Sequence, residues 1–453
     1  MKYASLISLG CAKNLVDSET IAAALMERGY EMTHTIPEAE LILINTCGFL
    51  ESAVQEAITT ILETARYKEI GNCRLLAVAG CMVQRYGKKL LDQLPEVDLF
   101  IGTSHYHKLE AILESSLAGN SRRLWIGRPL HVLADARGRV RSTGPHTAYV
   151  KIAEGCGNSC SFCLIPHLRG PLRSRAESDI LAEAAALASD GVREINLIAQ
   201  DTTAFGQDRG DSEALPHLLR SLDKVPGLRW IRLLYAYPDR ITDLLLETMA
   251  GSPKMVPYLD IPFQHCVPRI LEAMGRKAKD PEETIAAIRS VIPGIALRTS
   301  IMVGFPGETA ADFKALHDFM ERVRFDHAGV FAFSPEAGTA AARLPKKPGK
   351  MVAQKRRASL LELQRRISRE KLKLRIGETV PVLIEGHHSE TDLLLAGRLS
   401  TQAPEVDGNV IITSGDAQVG EICNVEITAA HDYDLEGILT GHCCPCPVYE
   451  GGD

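Results

Sequence analysis

Residues 155–163 read GCGNSCSFC, and the C-x3-C-x2-C spacing of Cys156, Cys160 and Cys163 decides how the rest of the chain is read. Three thiolates so spaced can close on three corners of a [4Fe–4S] cube, which leaves the fourth iron open to a chelating small molecule. S-adenosylmethionine, with its amino and carboxylate groups, is the usual occupant at this spacing. One electron from the cluster would cleave its C–S bond and release a 5′-deoxyadenosyl radical. A zinc knuckle is the alternative, but zinc prefers four ligands, commonly supplied by C-x2-C pairs. The motif also sits where a strand-like run, TAYVKIAEG (147–155), comes to an end.

Five further runs follow within residues 146–345: REINLIAQ (193–200), RWIRLLYAY (229–237), PYLDIPFQ (257–264), ALRTSIMVGF (296–305) and HAGVFAFS (327–334). Segments of helical periodicity, such as SDILAEAAALASD and ADFKALHDFMERV, lie between them. Six such units predict a partial (β/α)6 barrel with its chemistry on the loops at the C-terminal ends of the strands. Cys156 then lies on the first of those loops. Gln200 and Asp201 end the second strand and are candidate cofactor-binding residues. Gly304 to Glu308 (GFPGE) leave the fifth strand and precede a helix, so backbone N–H groups there can meet a carboxylate or a ribose. A plain turn is the other reading of GFPGE.

Residues 1–118 alternate short β-rich runs (YASLISLG, AELILINTC, RLLAVAGC, VDLFIG) with amphipathic helical segments. This predicts a doubly wound parallel sheet of flavodoxin-like type. Cys11, Cys47 and Cys81 each follow a strand, and ligands of open α/β sheets bind beyond the carboxyl ends of the strands. The three thiols should therefore converge on one edge and form a second cluster site. Cys73, Cys266 and Cys423 lack this setting and read as small buried hydrophobes. Residues 119–145, rich in Gly and Arg, read as a linker.

Residues 376–440 carry ETVPVLIEG, LLLAGRLS, NVIITSG and ICNVEITAA between turn signals, which predicts a small five-stranded antiparallel barrel. The tail, 441–453, holds Cys443, Cys444 and Cys446 beside His442. It reads as a disordered, oxidation-prone end, with metal binding as the alternative.

Net charge over the 453 residues is −6, which disfavours a broad nucleic-acid footprint. The distribution is uneven. Lys350–Arg375 holds ten Lys/Arg against Glu362 and Glu370, whereas residues 376–440 hold twelve Asp/Glu against Arg398 alone. An acidic barrel repels a phosphate backbone and attracts a basic polypeptide. The basic helix reads as a solvated or inter-domain face, and contact with ribosomal RNA is the alternative. No apolar run reaches the ~20 residues of a membrane span, and the N-terminus lacks signal-peptide architecture. With its cysteines clustered at strand ends, the chain is expected to be a cytoplasmic, oxygen-sensitive metalloprotein.

SLGCAKNLVDSE (8–19), GCGNSCSFCLIPHLRGPLRSR (155–175), AQDTTAFG (199–206), YLDIPFQH (258–265), RTSIMVGFPGET (298–309) and FAFSPEAGTAAA (331–342) resemble the radical S-adenosylmethionine methylthiotransferases, across almost the whole chain. The resemblance implies a cysteine-bearing N-terminal domain, a radical core over 146–375 and a C-terminal TRAM barrel of OB-like type. It implies two [4Fe–4S] clusters, a radical one on Cys156, Cys160 and Cys163 and an auxiliary one on Cys11, Cys47 and Cys81. It also implies two S-adenosylmethionines per turnover, a sulfur donor, and an electron donor such as flavodoxin or ferredoxin. GCAKN and QDTTAFG resemble the branch that modifies an aspartate of small-subunit protein uS12, as free protein or in an assembling subunit. A tRNA adenosine is the alternative substrate, and a non-catalytic iron–sulfur RNA-binding protein the alternative class.

Overall fold

LILINT and LLAVAG contain no charged residue, and an unbroken run of this kind is what a strand covered on both faces requires. The computed structural model describes residues 2–132, 139–276 and 279–441. In it both runs are interior strands of a six-stranded parallel sheet. The first part of the chain runs β1 (Lys2–Ser8), α1 (Ala12–Glu27), β2 (Tyr30–Met32), β3 (Leu41–Thr46), α2 (Glu51–Ala65), α3 (Tyr67–Ile70), β4 (Leu75–Gly80), α4 (Cys81–Tyr86), α5 (Lys89–Gln93), β5 (Leu99–Gly102), α6 (Leu109–Leu117) and β6 (Leu124–Trp125). The strand order is β2-β1-β3-β4-β5-β6, so the direction of winding reverses between β1 and β3. Every β3 and β4 residue is buried, and apolar clusters form on both faces of the sheet.

The second sheet is also parallel and six-stranded. It contains β7 (Thr147–Lys151), β10 (Glu194–Ile198), β11 (Trp230–Leu233), β12 (Met255–Asp260), β13 (Ala296–Val303) and β14 (His327–Ala332), in that spatial order. A small ribbon, β8 (Ala153–Glu154) with β9 (Arg173–Ser174), clamps the base of the cysteine loop, which carries α7 (Ile165–Arg169). Helices α8 (Glu177–Ser189), α9 (Ala214–Asp223), α10 (Asp243–Ala250), α11 (Pro268–Ala273), α12 (Pro281–Val291) and α13 (Ala310–Val323) complete the units. Local chemistry starts several of them. Asp280 caps α12 with Pro281 in its first turn, and Thr309 with Asp312 forms a capping box on α13. This is the partial (β/α)6 barrel.

The long basic helix α14 (Lys350–Lys373) buries Leu360, Leu363 and Ile367 in the core of that barrel. Its cations reach both ways, Arg366 to Glu321 and Lys371 to Asp326 on the core, Arg365 and Arg369 to Asp432 on the last domain. It is thus an inter-domain face. The last domain is a closed barrel of β15 (Thr379–His388), β16 (Thr391–Leu399), β17 (Val410–Ser414), β19 (Leu435–Leu439) and β18 (Ile422–Ala430). One pairing departs from the antiparallel expectation, since β17 and β19 run parallel. Closure forces it, because five strands cannot alternate in direction all the way round a closed ring.

Two other expectations are revised. The segment 119–145 is more than a tether: Leu124–Trp125 adds β6 to the first sheet, and Arg139 pairs with Glu19 of α1 and Glu183 of α8. The barrel's acids are also not all on its surface. Glu385 holds Arg398 and His146, while Asp407 accepts from Tyr258 and pairs with Arg298 and His327 of the core. Arg398 itself is buried against Glu194. Glu378, Glu390, Asp392, Glu405 and Asp416 do remain exposed. Cys73 is buried as expected, whereas Cys423, also buried, carries a disulfide bond. Cys443, Cys444 and Cys446 lie outside the described residues.

Candidate functional site

Cys11 precedes α1 and Cys81 opens α4, so both thiols stand at helix N-termini, where N–H groups and the helix dipole favour a thiolate. Cys47 follows β3 on the strand between them. Gly10 has a positive φ of 98°, and a Cβ there would lie 2.7 Å from Cys47 Cβ, so only glycine lets the first and second loops approach this closely. Cys11, Cys47 and Cys81 stand at three neighbouring strand ends, where Cys47 feels the charge of Cys11 and Cys81 feels that of both. Their environments differ. Burial pushes Cys81 up to about 12 and raises Cys47. Desolvation acts on Cys11 too, but Lys13 and Arg169 outweigh it and lower its pKa.

Cys156, Cys160 and Cys163 form the second triad on the loop after β8. Cys156 accepts from the Asn158 N–H and Cys163 from the Ile165 N–H, each at 3.4 Å. Burial raises Cys156 and takes Cys163 up to about 12, with the neighbouring thiols adding to both. The loop is fixed from several sides. Ser161 donates to the Met274 and Ala273 carbonyls, and Ala341 N–H donates to Ser161. Asn158 donates to Asp201 at 2.8 Å and accepts from Arg240 at 2.9 Å, while Arg240 also pairs with Asp201 at 2.6 Å.

That triangle revises the part expected of Asp201. Its carboxylate accepts from Asn158, Arg240, Thr203 and Ala204 N–H, and so positions the cysteine loop. Gln200 donates to Glu154 at 2.7 Å, and its amide oxygen is buried without a partner. Glu308 is turned inward onto Gly304 N–H and lies 3.2 Å from Arg356 of α14. Gly304 packs against Ala353, where a Cβ would come within 2.5 Å. GFPGE is thus a turn closed by its own glutamate through one carboxylate oxygen, while the other, Oε1, is buried without a hydrogen-bond partner.

The loops that carry the two triads meet. Cys81 shares an apolar cluster with Leu164 and Leu168, which follow Cys163 on the cysteine loop. Between them lies a desolvated charge network that the sequence did not reveal. Arg169 donates through Nε to Cys81 Sγ at 3.2 Å, to Asp17 at 2.5 Å and to Asn14 at 2.8 Å. Lys151 joins Asp17 to Glu154, and these two carboxylates balance the two cations. Paired in this way, Glu154 is held down at about 2 despite its burial.

Among the described residues no three His, Cys, Asp or Glu converge on a point fit for a single ion. A closed zinc site draws four ligands onto one metal. A cube is different, since each sulfur faces its own iron, and two sets of three thiols with no fourth ligand suit two clusters with an open iron each. Iron would also supply the positive charge that buried thiolates such as Cys81 and Cys163 need.

A partial (β/α)6 barrel with three cysteines on its first loop defines a radical S-adenosylmethionine enzyme. The Radical SAM superfamily model matches residues 150–320, the Uncharacterized protein family UPF0004 model residues 3–102 and the TRAM domain model residues 376–439. A protein of Syntrophobacter fumaroxidans named ribosomal protein uS12 methylthiotransferase RimO is 61% identical, over 97% of this chain and 98% of its own. The protein of that name from Geobacter sulfurreducens is 47% identical over 96% and 97%. The chain belongs to this RimO family and is a radical S-adenosylmethionine methylthiotransferase. Among solved structures, the radical S-adenosylmethionine methyltransferase TsrM from Kitasatospora setae superposes with a TM-score of 0.56 at 14% identity, over 73% of this chain and 72% of that one. It shares the fold. No helix among the described residues is long and apolar enough to cross a membrane.

Proposed function

We propose that the protein installs a methylthio group on the β-carbon of an aspartate in ribosomal protein uS12, working in the cytoplasm on the free protein or on an assembling small subunit. The observation that supports this reading is the packing of Cys81 against Leu164 and Leu168 of the loop that carries Cys156, Cys160 and Cys163, together with the Arg169 contact to Cys81, which would set a radical source near a sulfur reservoir. When bound, the clusters and two S-adenosylmethionines supply a carbon radical that can remove an unactivated hydrogen, and the sulfur and methyl that replace it. An aspartate β-carbon needs such chemistry, because ordinary general bases cannot ionise its C–H bond at neutral pH.

The protein's own residues hold the parts in place. Cys156, Cys160 and Cys163 would ligate the radical cluster, and Cys11, Cys47 and Cys81 the auxiliary one. Asn158, Asp201 and Arg240 fix the loop of the first. Arg169 donates to Cys81 Sγ and would hold the second in register with it, a hydrogen bond of the kind that would tune the potential of a bound cluster. Turnover would further need an electron donor such as flavodoxin or ferredoxin, and a sulfur donor. The exposed acids of the TRAM barrel favour a basic protein over tRNA. The test is an anaerobic assay of reconstituted enzyme with uS12 and with tRNA side by side, read by mass spectrometry. Methylthiolation of uS12 is expected, and modification of a tRNA adenosine alone would replace this reading.

A further inference from the structure

Lys13 is only 9% exposed, yet no carboxylate of the described residues lies within 4.0 Å of its ammonium. This is unusual, because a lysine sunk this far is ordinarily paired. Lys151 obeys the rule and holds both Asp17 and Glu154. Lys13 faces instead the ring of Tyr235, with Nζ 3.1 Å from the ring centre. The Tyr235 side chain, the Cys11 thiol and Asp260 all act on this charge, but none forms a close ion pair with it.

The place of this ammonium matters. Lys13 stands two residues after Cys11, and its side chain crosses from the first domain to the C-terminal edge of the barrel. Tyr235 lies two residues beyond β11 with a left-handed φ of 60°, a strained conformation for a tyrosine. Its N–H is held by Asp260, the last residue of β12, at 3.1 Å. The strain therefore supports a ring set under the ammonium, while Asp260, which acts on Lys13 at longer range, accepts from the Tyr235 N–H and lies 4.0 Å from Arg298.

We infer that Lys13 receives the side-chain carboxylate of the target residue and thereby selects an acidic side chain. The inference rests on the aspartate reading above and gives it a physical basis. The β-carbon is one bond from that carboxylate, so anchoring the carboxylate two residues from Cys11 brings the β-carbon to the auxiliary triad. Tyr235 is a positioning residue that keeps the ammonium extended across the seam.

The test uses full-length, anaerobically reconstituted protein and two fluorescent peptides spanning the uS12 target loop, one with Asp and one with Asn at the target position. Equilibrium binding by anisotropy should favour the Asp peptide roughly tenfold or more in the wild type, the range of one charge-assisted contact. Lys13→Met should bring the ratio to about one, and Lys13→Arg should restore most of it. A circular dichroism spectrum and an iron content equal to those of the wild type show that Lys13→Met is folded and loaded. If Lys13→Met keeps the Asp/Asn ratio and alters only the electron paramagnetic resonance signal of the auxiliary cluster, Lys13 balances cluster charge and the inference is overturned. Methylthiolation of wild-type uS12 in the same preparations separates that failure from failure of the aspartate reading, in which neither peptide would bind or react.

Discussion

Two buried charge networks join the radical core to its neighbours, and they solve one electrostatic problem to different ends. At the TRAM seam Glu194 is clasped by Arg232 and Arg398, at 2.8 and 2.5 Å, and Arg398 passes on to Glu385. Every charge there is answered by another protein group, so the seam fixes orientation and nothing more. At the N-terminal seam Asp17, Glu154, Lys151 and Arg169 are just as desolvated, but the network does not close on itself. Arg169 ends on Cys81 Sγ, and Glu154 lies two residues from Cys156. Removing one partner of a buried pair strands the other in a medium that solvates it poorly. Damage at the first seam should therefore cost stability alone, and damage at the second should cost stability and cluster chemistry together.

The largest effect is expected from Arg169→Met. It leaves Asp17 and Glu154 sharing Lys151 and should destabilise the protein by about 3–5 kcal/mol. It should also lower the iron retained by Cys11, Cys47 and Cys81, read by urea unfolding and by iron per folded chain. Arg398→Met should cost about 3 kcal/mol, since Glu194 keeps Arg232, and should leave iron and 5′-deoxyadenosine per folded chain unchanged. Loss of iron in that variant would erase the contrast between the seams.

A smaller effect sharpens the comparison through pH. Arg398 and Arg232 outweigh the burial of Glu194 and hold it at about 2 against an ordinary 4.5. A carboxylate depressed in the folded state contributes stability that is complete above its unfolded value and is lost as pH falls from about 4.5 towards 2. Glu194→Gln should flatten this acid limb by about 2–3 kcal/mol in urea titrations at several pH values. The smallest effect concerns the surface. Reversing Glu390, Asp392 and Asp416 to Lys should raise KM for uS12 a few-fold at low salt, and less where the Debye length shrinks to ~8 Å. Glu385 and Asp407 are unsuitable for this test because they are anchors of the seam.

The six cysteines, the two parallel sheets and the closed barrel were legible because each follows from a local pattern: a fixed spacing, a strand-end position, an alternation. What was not legible depends on meetings between distant residues. β2 and β6 are too short to show a period, so β6 was read as linker. The parallel β17–β19 pairing is set by closure of the barrel. Asp201, Gly304 and Glu308 stood at the right strand ends, but their partners Arg240, Asn158, Ala353 and Arg356 come from elsewhere in the chain. Lys13 lay in full view within GCAKN, and only the absence of a facing carboxylate among the described residues marks it out.

The most direct test of the two-triad account is an iron and product count on three preparations: the intact protein, Cys156/Cys160/Cys163→Ala and Cys11/Cys47/Cys81→Ala. Two clusters predict ~8 irons per intact chain and roughly half in each triple variant. 5′-Deoxyadenosine should be abolished in the first variant and retained in the second. About four irons in the fully reconstituted intact protein, or 5′-deoxyadenosine from the variant lacking Cys156, Cys160 and Cys163, would contradict it.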